Sequence, residues 1–218
     1  MIDLHTHSFF SDGVLIPSEL VYRAKVKGYS CLALTDHGDF SNFDFIIPRI
    51  RRVAAELSKN YNIIVLPGIE ITYVPPKLIK KAVARCRALG AKVVVVHGET
   101  TAETVPPGTN RSAALSGADI LAHPGLISAQ DALLAKKNNV CLEITTRRGH
   151  NKTNKHVAAR AKECGAKLVL NTDSHSPDDL LDAGKIKKIL SVSGLKSADF
   201  SEMRRNSENI IRKATRRK

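Results

Sequence analysis

Seven times along this chain a short β-branched or apolar run leads into a histidine or an acid, and a helix-like stretch follows. The runs are residues 2–4, 31–35, 63–66 continuing to 71, 92–96, 119–122, 140–144 and 167–171. Amphipathic stretches lie between them at 18–27, 43–58, 77–88, 129–137, 154–164 and 178–190. Ser18, just after Pro17, is placed to cap the first helix, and Gly28, Gly90 and Gly165 stand where helices should stop. Strands alternating with helices imply parallel strands joined by right-handed crossovers. Pattern alone admits either a doubly wound sheet or a closed barrel.

The polar residues choose between them. Strand one runs into His5-Thr6-His7, strand two into Thr35-Asp36-His37, and the next three into Glu70, His97 and His123. The sixth carries Glu143 at the corresponding place, and the seventh runs into Asp173-Ser174-His175. Taken from His5, His37, Glu70, His97, His123, Glu143 and Asp173, successive ends are 32, 33, 27, 26, 20 and 30 residues apart, the length of single βα units. A barrel gathers all its strand ends around one opening, whereas an open sheet would spread them along a crevice. The expected fold is therefore α/β, a single TIM-like barrel domain of seven core strands over residues 1–218. A C-terminal helix and basic tail occupy about 199–218.

A solitary histidine at a strand end is an ordinary buried polar group. Six of the eight histidines fall at strand ends, however, with only His150 and His156 outside the pattern. Imidazoles together with carboxylates form the ligand set of zinc, manganese or iron. His-x-His also directs two rings toward one side, because side chains alternate along a strand. The four cysteines (Cys31, Cys86, Cys141, Cys164) form no CxxC pair and read as buried small apolar residues, which fits a reducing, cytoplasmic setting. No apolar run approaches the roughly 20 residues that span a bilayer, and no signal peptide is evident.

The motifs His5-Thr6-His7-Ser8, Ser11-Asp12-Gly13, Thr35-Asp36-His37, Gly68-Ile69-Glu70, His97-Gly98, Ala122-His123-Pro124 and Asp173-Ser174-His175 resemble the PHP (polymerase and histidinol phosphatase) family. The resemblance covers nearly the whole chain. It implies a distorted (βα)7 barrel with two to three divalent ions: zinc, manganese or iron, with magnesium admissible. By the same resemblance His5, His7, Glu70 and Asp173 hold one ion. Glu70 bridges to a second on His97 and His123, and Asp12, His37 and His175 hold a third.

Asp36 and Glu143 are expected behind the ligands, orienting histidines; a helix cap or turn is the equal alternative for Asp36. Arg147 or Arg148, leaving the sixth strand, could grip a phosphate in bidentate fashion, with Arg111 a weaker candidate. The implied reaction is hydrolysis of a phosphomonoester by hydroxide held on the metals, with Glu70, His37, His175, Arg147 and Arg148 as the catalytic groups. The histidinol-phosphatase-like reading leads, with a small phosphorylated substrate. A nuclease or nucleotide phosphoesterase is the alternative, and a non-catalytic RNA-binding subunit the third.

The net charge of +13 favours an anionic partner, nucleic acid included. From Ser201 onward seven Lys/Arg face two Glu, a local +5. One amphipathic helix is expected from Met203, packed on the barrel to about Ile211, with Glu208 pairing forward to Arg212 and residues 213–218 left as a solvated end.

Overall fold

The computed structural model describes residues 1–216. Its strands are β1 (Ile2–Asp3), β2 (Cys31–Leu34), β3 (His37–Gly38), β4 (Ile64–Ile71), β5 (Val93–His97), β6 (Ile120–Ala122), β7 (Cys141–Thr145) and β8 (Leu168–Asn171). The helices are α1 (Pro17–Val26), α2 (Phe43–Tyr61), α3 (Ile79–Ala88), α4 (Thr109–Ser116), α5 (Ala129–Lys137), α6 (Asn154–Cys164), α7 (Ala183–Val192) and α8 (Ser197–Arg216). Every strand pairing is parallel, in the order β1-β2-β4-β5-β6-β7-β8, with the two-residue β3 paired to β4. A parallel bridge between Thr6 and Ser174 joins the ends, with His7 N donating to Ser174 O and Asp173 N to His5 O at 2.9 and 3.0 Å. The expected seven-strand barrel is what forms.

Both faces of the wall are buried, as a helix-covered parallel sheet requires. Leu32, Leu34, Val94, Val96, Leu142, Ile144 and Leu170 join the outer core with the helices. Their alternates, Cys31, Ala33, Val93, Val95, Cys141 and Val169, fill the barrel with Leu4, Leu66, Ile120 and Ala122. Small residues are needed because the interior is narrow. A Cβ on Gly68 would lie 2.6 Å from Thr35 Cγ2 and 2.9 Å from Val93 O. All four cysteines are buried and unpaired, as expected, and burial pushes the thiols of Cys31, Cys86 and Cys141 up to about 12.

The helices depart from expectation at four places. Ile16 is the cap residue of α1 with Pro17 in the first turn, so Ser18 lies inside the helix and caps nothing. The eight-residue α4, TNRSAALS, was not legible, because its Thr, Asn and Ser residues are weak helix formers. The expected 178–190 helix divides into a short turn, Pro177–Asp179, and α7, which Asp182 caps by accepting from Lys185 N. α8 begins at Ser197, six residues before Met203.

α8 closes the barrel at the end where the strands begin. Met203, Asn206, Ser207, Ile210 and Ala214 form its buried stripe, and Asn206 Nδ2 donates to Leu168 O at 2.9 Å. Ile210 and Ala214 reach the interior cluster. Packing thus runs a turn past the expected limit at Ile211, and Glu208 pairs back to Arg204 at 3.1 Å instead of forward. Arg217 and Lys218 of the expected tail lie outside the described residues.

Candidate metal centre

Alternation along the wall carries chemistry to the opposite end. The rows that start as Leu66, Val93, Cys141 and Val169 arrive, by steps of two, at Glu70, His97, Glu143 and Asp173. β1 delivers His5 and His7 as it leaves the sheet, and His37 opens the short β3, paired directly to Glu70 on β4. Close approach of the β5 and β6 exits depends on Gly98, where a Cβ would lie 2.2 Å from Ala122 O. His123 and Asp173 sit at φ +27° and +54°, a left-handed backbone unusual for residues with a side chain. Such strain concentrates where surrounding structure holds functional groups in place.

The six strand-end histidines share one mouth. Ring centroids lie 5.0 Å apart for His5–His7, 4.3 Å for His7–His37, 4.2 Å for His7–His175, 4.5 Å for His97–His123 and 6.1 Å for His37–His97. Four sets of potential ligand atoms each fall within 4.8 Å of one another: His5/His7/Glu70, His5/His123/Asp173, Glu70/His97/His123 and His7/Asp12/His37/His175. All nine expected ligand positions are therefore brought together. Asp173 lies between sets, with Oδ1 3.1 Å from His7 Nε2 and Oδ2 3.6 Å from His123 Nε2.

The donor set fits divalent metal. Glu70 is fully buried, yet neither carboxylate oxygen has an aligned hydrogen-bond donor, and His123 Nδ1 is also unpartnered. His37 Nδ1 lies 2.7 Å from both Glu70 Oε2 and Thr72 Oγ1, and only the contact with the threonine is aligned as a hydrogen bond. A buried carboxylate without aligned donors is costly even with imidazole nitrogens 2.7–3.6 Å away, and a divalent ion would satisfy it. The Nε2 atoms of His5 and His7 face each other at 3.1 Å, an arrangement that a shared cation satisfies.

Neighbours set the orientation of several rings. Glu143 Oε1 lies 2.9 Å from His5 Nδ1 and accepts from Asn171 Nδ2 at 2.8 Å, while its Oε2 accepts from His123 N at 3.1 Å. Glu143 thus has the orienting place expected of it. The Nδ1 atoms of His97 and His175 are directed at Gly98 O and Asp173 O, at 3.1 and 2.9 Å. Their Nε2 atoms remain for the cavity. Asp36 makes no direct hydrogen bond to a histidine and caps no helix. It accepts from Ser8 N, Ser8 Oγ and Ser11 Oγ, tying down the loop after β1, and the cap position of α2 belongs to Asn42.

Charge in the cluster is strongly coupled. Burial opposes protonation of His5, but Glu143, Glu70 and Asp173 overcome it and hold that imidazole well above its usual range. Burial together with cationic His37 drives His7 well below its own. Burial also resists ionisation of Glu70, and the neighbouring His5 and His37 win, keeping its carboxyl well below the usual range. At Asp173 burial prevails, and its carboxyl is raised. Asp12, half-exposed at the rim, is brought to about 2 against its burial by a hydrogen bond from His175 and the charge of His37.

Two mouth residues escaped sequence reasoning. His150 was placed outside the pattern, but its ring stands 4.3 Å from that of His123, with Nδ1 2.8 Å from Thr100 Oγ1. Glu103 connects it to the cluster, with Oε1 3.3 Å from His150 Nε2 and Oε2 3.5 Å from His97 Nε2. Glu103 comes from a loop and His150 from the first residue of a one-turn helix, His150–Thr153, where no strand period announces direction. His156 does stay outside, its Nε2 directed at Ile127 O at 2.9 Å. The arginines are not brought into the cluster. Arg147 Nη1 lies 3.6 Å from Asp179, which in turn accepts from His175 N at 2.9 Å. Arg148 and Arg111 are exposed.

Among the described residues no helix is long and apolar enough to cross a membrane. An uncharacterized protein of Methanocaldococcus jannaschii is 48% identical over 200 residues, 91% of this chain and 92% of that one. A chain of archaeal ribonuclease P, solved with mature tRNA, superposes with a TM-score of 0.75 at 16% identity, covering 98% of this chain and 91% of that one. Histidinol phosphate phosphatase from Lactococcus lactis, complexed with zinc, L-histidinol and phosphate, gives a TM-score of 0.61 at 18% identity, covering 89% and 94%. At these identities the two structures show a shared fold. The family model of the PHP domain matches residues 3–139, more than half of the chain, which therefore belongs to the PHP domain family.

Proposed function

We propose that this protein is a metal-dependent phosphoesterase that hydrolyses a phosphomonoester at the barrel mouth, with His5, His7, Asp12, His37, Glu70, His97, His123, Asp173 and His175 as ligands to two or three divalent ions. The observation that carries the reading is Glu70: a fully buried carboxylate without an aligned donor, surrounded by imidazole nitrogens. Family membership supports it, as does the zinc and phosphate bound by the Lactococcus lactis relative in fold. When bound, such ions acidify a water, neutralise phosphate oxygens and stabilise the departing oxygen.

The chain's own groups supply orientation and protons. Glu143, Gly98 O and Asp173 O hold the Nδ1 sides of His5, His97 and His175, so the opposite nitrogens face the cavity without a search through rotamers. With only two ions held, on the deeper ligands, His37 and His175, with side chains 28% and 11% exposed, would be the rim imidazoles free to pass a proton to a leaving alkoxide. Arg147 steadies the phosphoryl group if it exchanges Asp179 for substrate, and its exposed neighbour Arg148 is the second candidate for that grip. A non-catalytic RNA-binding role, suggested by the ribonuclease P likeness, leaves Glu70, with no aligned donor on either oxygen, without a purpose.

The deciding experiment is metal analysis of protein purified without added metal, followed by a panel of phosphomonoesters set against oligonucleotides. Bound transition metal and turnover of a monoester are expected. Protein that contains none, and stays inactive when zinc, manganese or iron is supplied, would remove this reading.

A further inference from the structure

We infer that the outward face of α3 and the aromatic rim of the mouth bind single-stranded nucleic acid and lead its phosphoester end to the cluster, an inference that rests on the phosphoesterase reading. Residues 43–92 hold ten Lys/Arg against three acids, one of them the buried Glu70. Their net +7 is spread along α2, β4 and α3, with Lys59 and Lys92 toward the end where the strands begin, where the described part of the C-terminal segment also packs. Lys77, in the short turn Pro76–Leu78 that leads into α3, and Lys80, Lys81 and Arg85 on α3 are all exposed, over about 12 Å from the separation of eight residues between the ends. None of the four forms an ion pair among the described residues. Like charges three and four residues apart repel, and an anionic partner relieves that repulsion.

At the mouth this stripe meets exposed rings. Lys81 Nζ stands 5.9 Å from the ring of Phe40, which is 44% exposed. Phe45, 50% exposed, lies under the Arg49 guanidinium at 3.7 Å. Tyr73, 54% exposed, is stacked on the candidate ligand His97 at 5.9 Å and donates its hydroxyl to Glu103. It adopts φ +54°, a costly conformation for an aromatic residue, so the ring is held at the cluster by its surroundings. Cations that follow a backbone and rings that stack bases are the two components of single-strand recognition. A duplex would have its bases already stacked and would leave the rim rings unused.

The test is fluorescence anisotropy of the metal-loaded protein with RNA and DNA oligonucleotides of about twelve nucleotides bearing phosphorothioate linkages. Replacing Lys77, Lys81 and Arg85 together by Gln should weaken binding at least tenfold and reduce the slope of log K against log salt by about 2, at roughly 0.7 per lost phosphate contact. Turnover of p-nitrophenyl phosphate and the circular dichroism spectrum should not change. Phe40→Ala should weaken binding by about tenfold with the salt slope unchanged. Arg212→Gln with Lys213→Gln, at the other end, should leave binding alone. A triple variant that binds as wild type does, or wild type that prefers phosphatidylserine vesicles to both oligonucleotides, would overturn the inference. Oligonucleotide binding that depends on this face, in protein that hydrolyses no phosphoester, would uphold the surface and remove only the enzymatic reading.

Discussion

The two ends of the barrel are made from the same strands and solve opposite problems. At the end where the strands begin, Leu66, Val93, Cys141 and Val169 pack together under Ile210 and Ala214 of α8. Each such side chain contributes on the order of 1.5–3 kcal/mol by leaving water, with no demand on orientation. At the other end the same rows carry Glu70, His97, Glu143 and Asp173, buried as deeply but polar. Their burial opposes folding unless each group is matched, and Glu70 is matched by imidazole charge but by no aligned donor. One end therefore stabilises the molecule, and the other uses that stability to hold charged and strained groups in place.

Substitutions should separate the ends cleanly. Glu70→Gln is expected to have the largest effect, reducing kcat/KM on the order of 10³-fold, about 4 kcal/mol of transition-state stabilisation, with loss of bound metal. Wild-type stoichiometry and near-normal turnover in this variant would show that the mouth does not depend on that charge. Glu143→Gln, which leaves the shape but weakens the hold on His5 Nδ1, should lower metal affinity by roughly 10- to 100-fold, measurable by competition with a chelator.

Ile210→Ala tests the opposite end. It should cost about 2–5 kcal/mol of stability in denaturant titration, while folded protein retains its metal content and turnover. A matching loss of turnover per folded molecule would mean that the ends are coupled and the division is wrong.

The smallest effect concerns the seam where β1 meets β8. Asp3 accepts from Thr172 Oγ1 and Thr172 N at 2.6 and 3.2 Å, and burial raises its carboxyl to about 7 against these hydrogen bonds. A folded-state value above the unfolded one means that the native protein holds the proton more tightly. The associated stability is present at low pH and is lost as pH rises toward 7. Wild type should therefore lose up to about 1.4 kcal/mol per pH unit relative to Asp3→Asn between about pH 5 and 7. Parallel stability curves for the two proteins would place the seam's carboxylate among groups that fold ionised.

Legibility followed the same division. Barrel architecture could be read because each βα unit repeats a strand period, and that period also fixes which residues reach the mouth. Glu70, His97 and Asp173 are examples, each an even number of residues from an interior apolar position. His150 and Glu103 could not be read, since they arrive on a one-turn helix and a loop whose direction no strand period records. α4 was missed because its eight residues have weak helical preference and are held between two glycines in left-handed conformation. The role of Asp36 stayed open between two readings because a carboxylate beside a histidine in sequence has no reason to face one in space; its carboxylate accepts from Ser8 and Ser11.

What the sequence determined by itself was the alternation of strand and helix, the one-ended placement of imidazoles and acids, and the family. All three are local or periodic properties, written in neighbouring residues. Only the tertiary structure decided that Glu143 orients His5 and that Glu70 lacks a donor. It alone placed Arg147 against Asp179 and the basic excess on α3 beside exposed rings. Those outcomes depend on contacts between residues up to 138 positions apart, as His5 and Glu143 are, and on which hydrogen bonds remain once the barrel has closed.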